Sequence, residues 1–449
     1  MYNLGILNGN ICDGFNIYKS NVFIKNGKID CISDRIFESD KIIDAENKFV
    51  TPGFVDPHVH FGLKLGKYTS ADDFYSGSKA ALSGGVTTVI DFLEPASTID
   101  ELHRNFETRR DFANDSMIDF AFHSCIGGSP AFSAEECIEH SVKIGCPSIK
   151  IFTTYSDSNR MTEDGFLNSM LRQSKKNGVV ILSHSENDSI IREIAKNYKK
   201  PVYSDLSDLR PSISEIEAVM RVSLFSILND GQLYIVHVSS GESIEMVQKI
   251  LKKHKNVKIE SCPQYFYFTK NLVKSKKGYL YTYCPPARSA RESEILAYEL
   301  KNGNIDSIGT DHCPFMKSEK IENKDDYLKM PNGIPSLGLT FSLINTLNRN
   351  MIQSVRLMSV NPAKIFGLYP EKGTLLPGTD ADITIIDDEK QFIVGNAPGN
   401  CDYSPYEGID VNGKVEKTII HGKIAYENDK IFVKKGEGKF IHRNPIVWG

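Results

Sequence analysis

Asp56-Pro57-His58-Val59-His60 sets two imidazoles at alternate positions of an expected strand, so both project from one face and can grip a single metal ion. Such a pair standing alone is more often two packed or solvated histidines. Further along the chain Lys150, His184, His237 and Asp311 each end a short apolar run. The six side chains together make a complete ligand set for a two-metal hydrolase.

Lys150, in Ser148-Ile149-Lys150-Ile151-Phe152, puts a cation where an apolar strand would bury it, which costs several kcal/mol unless the charge is paired or removed. One reading is an ion-paired lysine. The other is carboxylation of the amine by carbon dioxide, which turns a cation into a carboxylate able to bridge two metals. The five other ligands at strand ends favour the second reading. His184 follows Val180-Ile181-Leu182-Ser183 and His237 follows Tyr234-Ile235-Val236. A lone histidine there is usually a satisfied core residue, but two at analogous strand ends point to metal, for which imidazole is a common ligand.

Asp311, in Ile308-Gly309-Thr310-Asp311-His312, could otherwise only cap the next turn. Two ions about 3.5–4 Å apart would lower the pKa of a water between them and polarise the carbonyl that the resulting hydroxide attacks. Asp311 beside that water can take its proton and return it to the leaving nitrogen. Mixed imidazole and carboxylate ligation suits zinc best, with manganese, cobalt or iron as alternatives.

The elements that would position these groups follow from patterning. Eight short apolar runs, at 54–60, 86–92, 118–124, 148–153, 179–184, 233–238, 257–262 and 305–311, alternate with helical stretches such as Asp72 to Ser83, Ile99 to Phe112, Glu163 to Lys176, Ser214 to Leu228 and Glu242 to Lys253. Eight such units predict an α/β fold, a (β/α)8 TIM-type barrel over 51–370, whose functional groups gather at the C-terminal strand ends. An open doubly wound sheet is the competing architecture, but its first strand should end in a glycine-rich phosphate turn, not in histidines. The β-rich stretches at 1–50 and 371–449, with Asn26-Gly27 as a hairpin signal, cannot bury a sheet face separately and are expected to form one small β-sandwich domain.

With 449 residues, net charge −4 and no basic stripe, the chain is not built for nucleic acid or a membrane surface; a small, roughly neutral substrate fits better. Nine scattered cysteines without a C-x-x-C pair argue for reduced thiols in a cytoplasmic protein, and there is no secretory leader or membrane-length apolar run. The charge-alternating stretch Lys317 to Asp326 is expected to be a solvated flap.

Pro52-Gly53-Phe54-Val55-Asp56-Pro57-His58-Val59-His60, Gly84-Gly85-Val86-Thr87-Thr88, Gly309-Thr310-Asp311-His312-Cys313-Pro314-Phe315, Pro331-Asn332-Gly333-Ile334-Pro335 and Asn361-Pro362-Ala363 resemble the amidohydrolase superfamily, in particular its branch of dihydropyrimidinases and hydantoinases. The resemblance implies hydrolytic ring opening of a dihydropyrimidine or 5-substituted hydantoin to an N-carbamoyl amino acid. It also implies that His58, His60 and Asp311 hold one metal, His184 and His237 the other, and carboxylated Lys150 bridges them. Tyr155 would donate to the oxyanion, and the backbone around Cys284 and Asn332 would read the ring. Relatives more often carry serine at the position of Cys284, which leaves a backbone role there intact. The family further implies a homo-oligomer, commonly a tetramer.

Dihydroorotase and allantoinase are sister activities. Dihydroorotases typically place an arginine two residues after the second metal histidine, where this chain has Gly62, so a neutral cyclic diamide is the expected substrate. A rival of another class is a non-catalytic adaptor with the same fold, which would lack the ligands.

Overall fold

The computed structural model describes residues 1–251 and 254–448. Eight strands, Phe54–Val59, Val86–Phe92, Asp119–Cys125, Ser148–Phe152, Val180–His184, Leu233–Ile235, Val257–Ser261 and Ser307–Ile308, pair in that order, each parallel to the next. A parallel bridge between Val59 and His312, with the His60 amide donating to the His312 carbonyl at 2.9 Å, closes the ring. This is the expected barrel. Its strands are apolar and almost wholly buried because helices cover one face and packed side chains fill the other.

The helices start where their caps dictate. Thr98 accepts from the Glu101 amide to open Ile99–Phe112, and Ser133 with Glu136 and Ser289 with Glu292 form reciprocal capping boxes. The expected stretch from Glu242 to Lys253 is a helix over Gly241–Leu251, and Lys252 and Lys253 lie outside the described residues. Among the described residues no helix is long and apolar enough to cross a membrane.

A second, mostly antiparallel sheet of nine strands joins the two ends of the chain. Asn26 and Gly27 form the hairpin turn between Ile17–Lys25 and Lys28–Ser33, both with positive φ (52° and 77°), as a two-residue turn matched to strand twist requires. Phe49–Pro52 runs antiparallel to Ile383–Ile393, so residues far apart in sequence share one ladder. This sheet is tied to the barrel by buried Lys372, whose Nζ meets Asp119 at 2.5 Å, Asp382 at 2.7 Å and Asp380 at 2.9 Å. Asp119, Asp380 and His421 are close enough to hold a cation, and Lys372 is that cation.

Residues 440–448 run beneath the barrel, against the strand ends opposite the candidate ligands. Buried Arg443 donates to the Phe122 carbonyl, to Ser148 Oγ at 2.7 Å and to the Phe366 carbonyl at 3.3 Å. The Trp448 amide donates to Gln232 Oε1 at 2.6 Å.

Candidate active site

His58, His60, His184, His237 and Asp311 stand at or just beyond the C-terminal ends of barrel strands, Lys150 lies in the middle of Ser148–Phe152, and all six line one cavity of about 680 Å³. His58 and His60 each bring Nε2 to 3.2 Å from Asp311 Oδ1, and the ligand atoms of the three lie within 4.8 Å of one another. The rings of His184 and His237 are 4.5 Å apart, and His58 is 5.4 Å from His237. Lys150 is 2% exposed, with Nζ 5.2 Å and 5.4 Å from the ring centres of Phe92 and Phe152. Among the described residues its amine has no ion-pair partner, so the paired-lysine alternative raised by the sequence finds no support.

Each imidazole has a nitrogen left for a ligand. His58 Nδ1 lies 2.8 Å from Glu260 Oε1, and since an ionised carboxylate only accepts, His58 donates there and turns Nε2 towards the site. His184 donates Nε2 to Glu186 Oε2 at 2.7 Å, which leaves Nδ1. His237 Nδ1 is buried with no hydrogen-bond partner among the described residues, a state that costs free energy unless something fills it. Imidazole nitrogens and a carboxylate converging on buried, unpartnered atoms fit a divalent metal site.

The electrostatics agree with that chemistry. Burial pushes the His60 and His237 imidazoles down and His184 to about 4, so all three are held neutral, the form that binds metal. His58 is the exception: burial opposes its charge, but Glu260 and Asp311 prevail and lift it to about 9. Burial also pushes the Lys150 amine down to about 8. Asp311 stays ionised well below the usual carboxylate range, because His58 and His60 outweigh the cost of its burial. Asp311, His237 and Tyr155 all have left-handed backbone (φ 50°, 41° and 69°), strain of the kind that gathers at functional sites.

Tyr155 lines the cavity with its ring centre 5.1 Å from that of His184, and the Arg210 guanidinium lies 4.7 Å from the Tyr155 ring centre. Burial holds its hydroxyl neutral and able to donate. Cys284 and Asn332 are on the cavity wall, Cys284 Sγ 3.7 Å from Tyr327 Oη, and Asn332 Oδ1 is a buried acceptor without a partner. The Gly333 amide donates to the Thr282 carbonyl at 2.9 Å, which locks the two wall segments together.

The stretch from Lys317 to Asp326 is exposed over much of its length, as a solvated flap would be, but not at Lys320. It begins as a helix over Lys317–Glu322, and Lys320 is fully buried, donating to the Thr282 carbonyl and hydroxyl and to the Pro331 carbonyl. The alternating charges looked solvated because the oxygens that hold Lys320 lie on distant segments. Arg288 pairs with Glu215, and His312 pairs with Asp72 at 2.9 Å while accepting the Ser336 and Leu337 amides, so both serve the scaffold.

Two buried carboxylates escaped the sequence reading. Glu260 accepts from His58, from the His237 amide and from the Tyr234 hydroxyl, each at 2.8 Å, and Glu186 orients His184 while Arg210 neutralises it. Glu260 sits in the strand Val257–Ser261, where Lys258 two residues earlier masks the buried charge. Partners of this kind fix ring orientation and raise ligand basicity, so Glu260→Gln is expected to weaken metal binding about 10–100-fold in a competition titration; unchanged affinity would remove Glu260 from this role.

The Amidohydrolase family model matches residues 49–425. The D-phenylhydantoinase of Escherichia coli O1:K1 / APEC is 34% identical over 420 residues, 90% of each chain. The crystal structure of dihydropyrimidinase from Brevibacillus agri NCHU1002 superposes with a TM-score of 0.94 at 29% identity over 100% of both chains. That of D-hydantoinase (dihydropyrimidinase) from Thermus sp. gives 0.92 at 28%, covering 99% of this chain and 100% of the other.

Proposed function

The chain belongs to the amidohydrolase family, and from that premise we propose that it is a hydrolytic cyclic amidase opening the ring of a dihydropyrimidine or 5-substituted hydantoin to an N-carbamoyl amino acid. The observation that carries this reading is the convergence of four imidazoles, Lys150 and Asp311 on one cavity, with His237 Nδ1 buried and without a partner among the described residues. His58, His60 and Asp311 would hold one divalent ion, His184 and His237 a second, with zinc the metal best suited to these donors. Lys150, buried without a counter-charge, is the group whose carboxylated form would bridge them. When bound, the metal pair supplies a water of lowered pKa and polarises the amide carbonyl.

The chain's own groups do the rest. Asp311, ionised beside the site, takes a proton from the attacking water and returns it to the ring nitrogen as the C–N bond breaks and the new C–O bond remains. Tyr155 donates its hydroxyl hydrogen to the carbonyl oxygen as charge builds there, a contact that strengthens only towards the transition state. Backbone groups around Cys284 and Asn332 read the ring amide and carbonyls. Lys320 holds those two segments in register from behind.

Incubation of zinc-loaded protein, in bicarbonate, with dihydrouracil, a 5-substituted hydantoin, dihydroorotate and allantoin tests the reading. The first two are expected to open, the activity to vanish on chelation and to return with zinc. A protein carrying about two ions per subunit that opens none of the four would sink the assignment, and one that binds no metal would behave as the adaptor alternative.

The same reading takes 51–370 as the catalytic unit and 1–50 with 371–449 as the other, supported by the ladder between Phe49–Pro52 and Ile383–Ile393. The nine unbridged cysteines support a reducing, cytoplasmic location. The tetramer rests on family resemblance, and sedimentation of the purified protein tests it.

A further inference from the structure

We infer that the substrate carries a carboxylate, on the ring carbon or on a short arm from it, and that Arg160 receives it. This rests on the ring-opening reading and deepens it. Arg160 follows Tyr155 on the loop after the fourth barrel strand and lines the cavity, half-buried, with its guanidinium 5.9 Å from the centre of the Phe152 ring. Its backbone amide donates to the Tyr155 carbonyl at 3.1 Å, which ties its position to that of the oxyanion donor. Among the described residues its guanidinium has neither an ion-pair nor a hydrogen-bond partner. Arg109, which also reaches the cavity, is engaged by Asp91 at 2.7 Å.

The charge around Arg160 points the same way. The mouth is lined by Lys64, Lys67, Arg160 and Lys329 but by one carboxylate, Glu94, on a chain whose net charge is −4. Lys67 and Lys329 have partners, Glu322 at 2.6 Å and Asp326 at 2.8 Å, and those carboxylates are not on the cavity wall. With Lys67 and Lys329 paired, Lys64 and Arg160 still outnumber Glu94, and a cationic excess around a low-dielectric cleft favours anionic ligands.

Discrimination then follows from desolvation. A neutral arm laid over Arg160 would strip water from the guanidinium and leave its donors unmatched. A carboxylate instead accepts two parallel hydrogen bonds from the guanidinium fork. Gly62 leaves the position where dihydroorotases typically carry an arginine without charge, so Arg160 supplies the cation from another loop. The ring itself stays the neutral diamide that the wall segments read.

The test uses the zinc-loaded enzyme and six substrates: dihydroorotate with dihydrouracil as its neutral counterpart, and 5-carboxymethyl- and 5-carboxyethylhydantoin with their two carbamoyl isosteres. At least one acid is expected to exceed its neutral counterpart, or for dihydroorotate to exceed dihydrouracil, by about tenfold or more in kcat/KM. Whichever acid does so locates the carboxylate. Arg160→Gln is expected to collapse that acid-to-neutral ratio towards one, through KM more than kcat, and Arg160→Lys to recover part of it. Raised salt is expected to narrow the ratio in the wild type. Equal use of acid and neutral substrates, or a ratio that survives Arg160→Gln, overturns the assignment of Arg160 and leaves ring opening intact. Hydrolysis of none of them, nor of dihydrouracil, overturns both.

Discussion

Lys150→Ala is expected to lower kcat/KM by at least about four orders of magnitude and to cut bound metal, while thermal unfolding moves little or rises. The size follows from what Lys150 does when it is not a cation. As an ammonium it stands in the barrel, 2% exposed, with no carboxylate in ion-pair contact among the described residues, a placement that disfavours the charged form by several kcal/mol. Its stem emerges among the imidazoles that would share the two ions. On the proposed reading, carboxylation would remove the unfavourable charge and supply the bridge between the two ions. Removing the side chain therefore takes away the link between the ions as well as a ligand from each. Intact-mass measurement under native conditions should find the wild type heavier by one carbon dioxide and Lys150→Ala not. Acetate or propionate, able to enter the vacated space, should return part of the activity. Full activity in Lys150→Ala, or a wild type that never gains that mass, would remove the bridge from the mechanism.

Asp311→Asn should retain a folded, metal-binding protein yet lose about 10³–10⁴-fold in kcat, because asparagine keeps the shape and one acceptor oxygen but cannot take a proton. Asp311 lies 3.2 Å from both His58 and His60, and its left-handed backbone aims the carboxylate into the cavity. The two roles assigned to it, ligand and proton shuttle, separate in this variant. Metal content falling in step with activity would assign the loss to ligation alone. Activity lost at near-full metal occupancy is the expected result, and a variant with unchanged kcat would exclude Asp311 as the base.

The barrel was legible because each strand is a short apolar run closed by a chemically distinctive residue. Val86–Phe92 and the helix Ile99–Phe112 have the bounds their patterns imply. The eighth strand is shorter than its pattern, since pairing covers Ser307–Ile308 before the chain turns at Asp311 to close against the first strand. Glu260 was less visible than Lys150 for a local reason. Lys258 two residues earlier makes Val257-Lys258-Ile259-Glu260 read as a half-exposed alternating strand, whereas Ile149-Lys150-Ile151 isolates its charge. Lys320 was hidden for a non-local one, because its partners are oxygens of Thr282 and Pro331 and no side-chain pattern announces a carbonyl. Arg160 was legible as a cation, but not as one facing the cavity.

The strap of residues 440–448 bears on how the molecule is made. Arg443 braces the third and fourth barrel strands from below, and Phe49–Pro52 has no ladder on one side until Ile383–Ile393 exists. During synthesis the ribosome therefore extrudes most of a barrel before the groups that underpin it are available. A nascent chain halted ahead of residue 443 should hold exposed strand edges and engage chaperones, and release of the last segment should end that engagement.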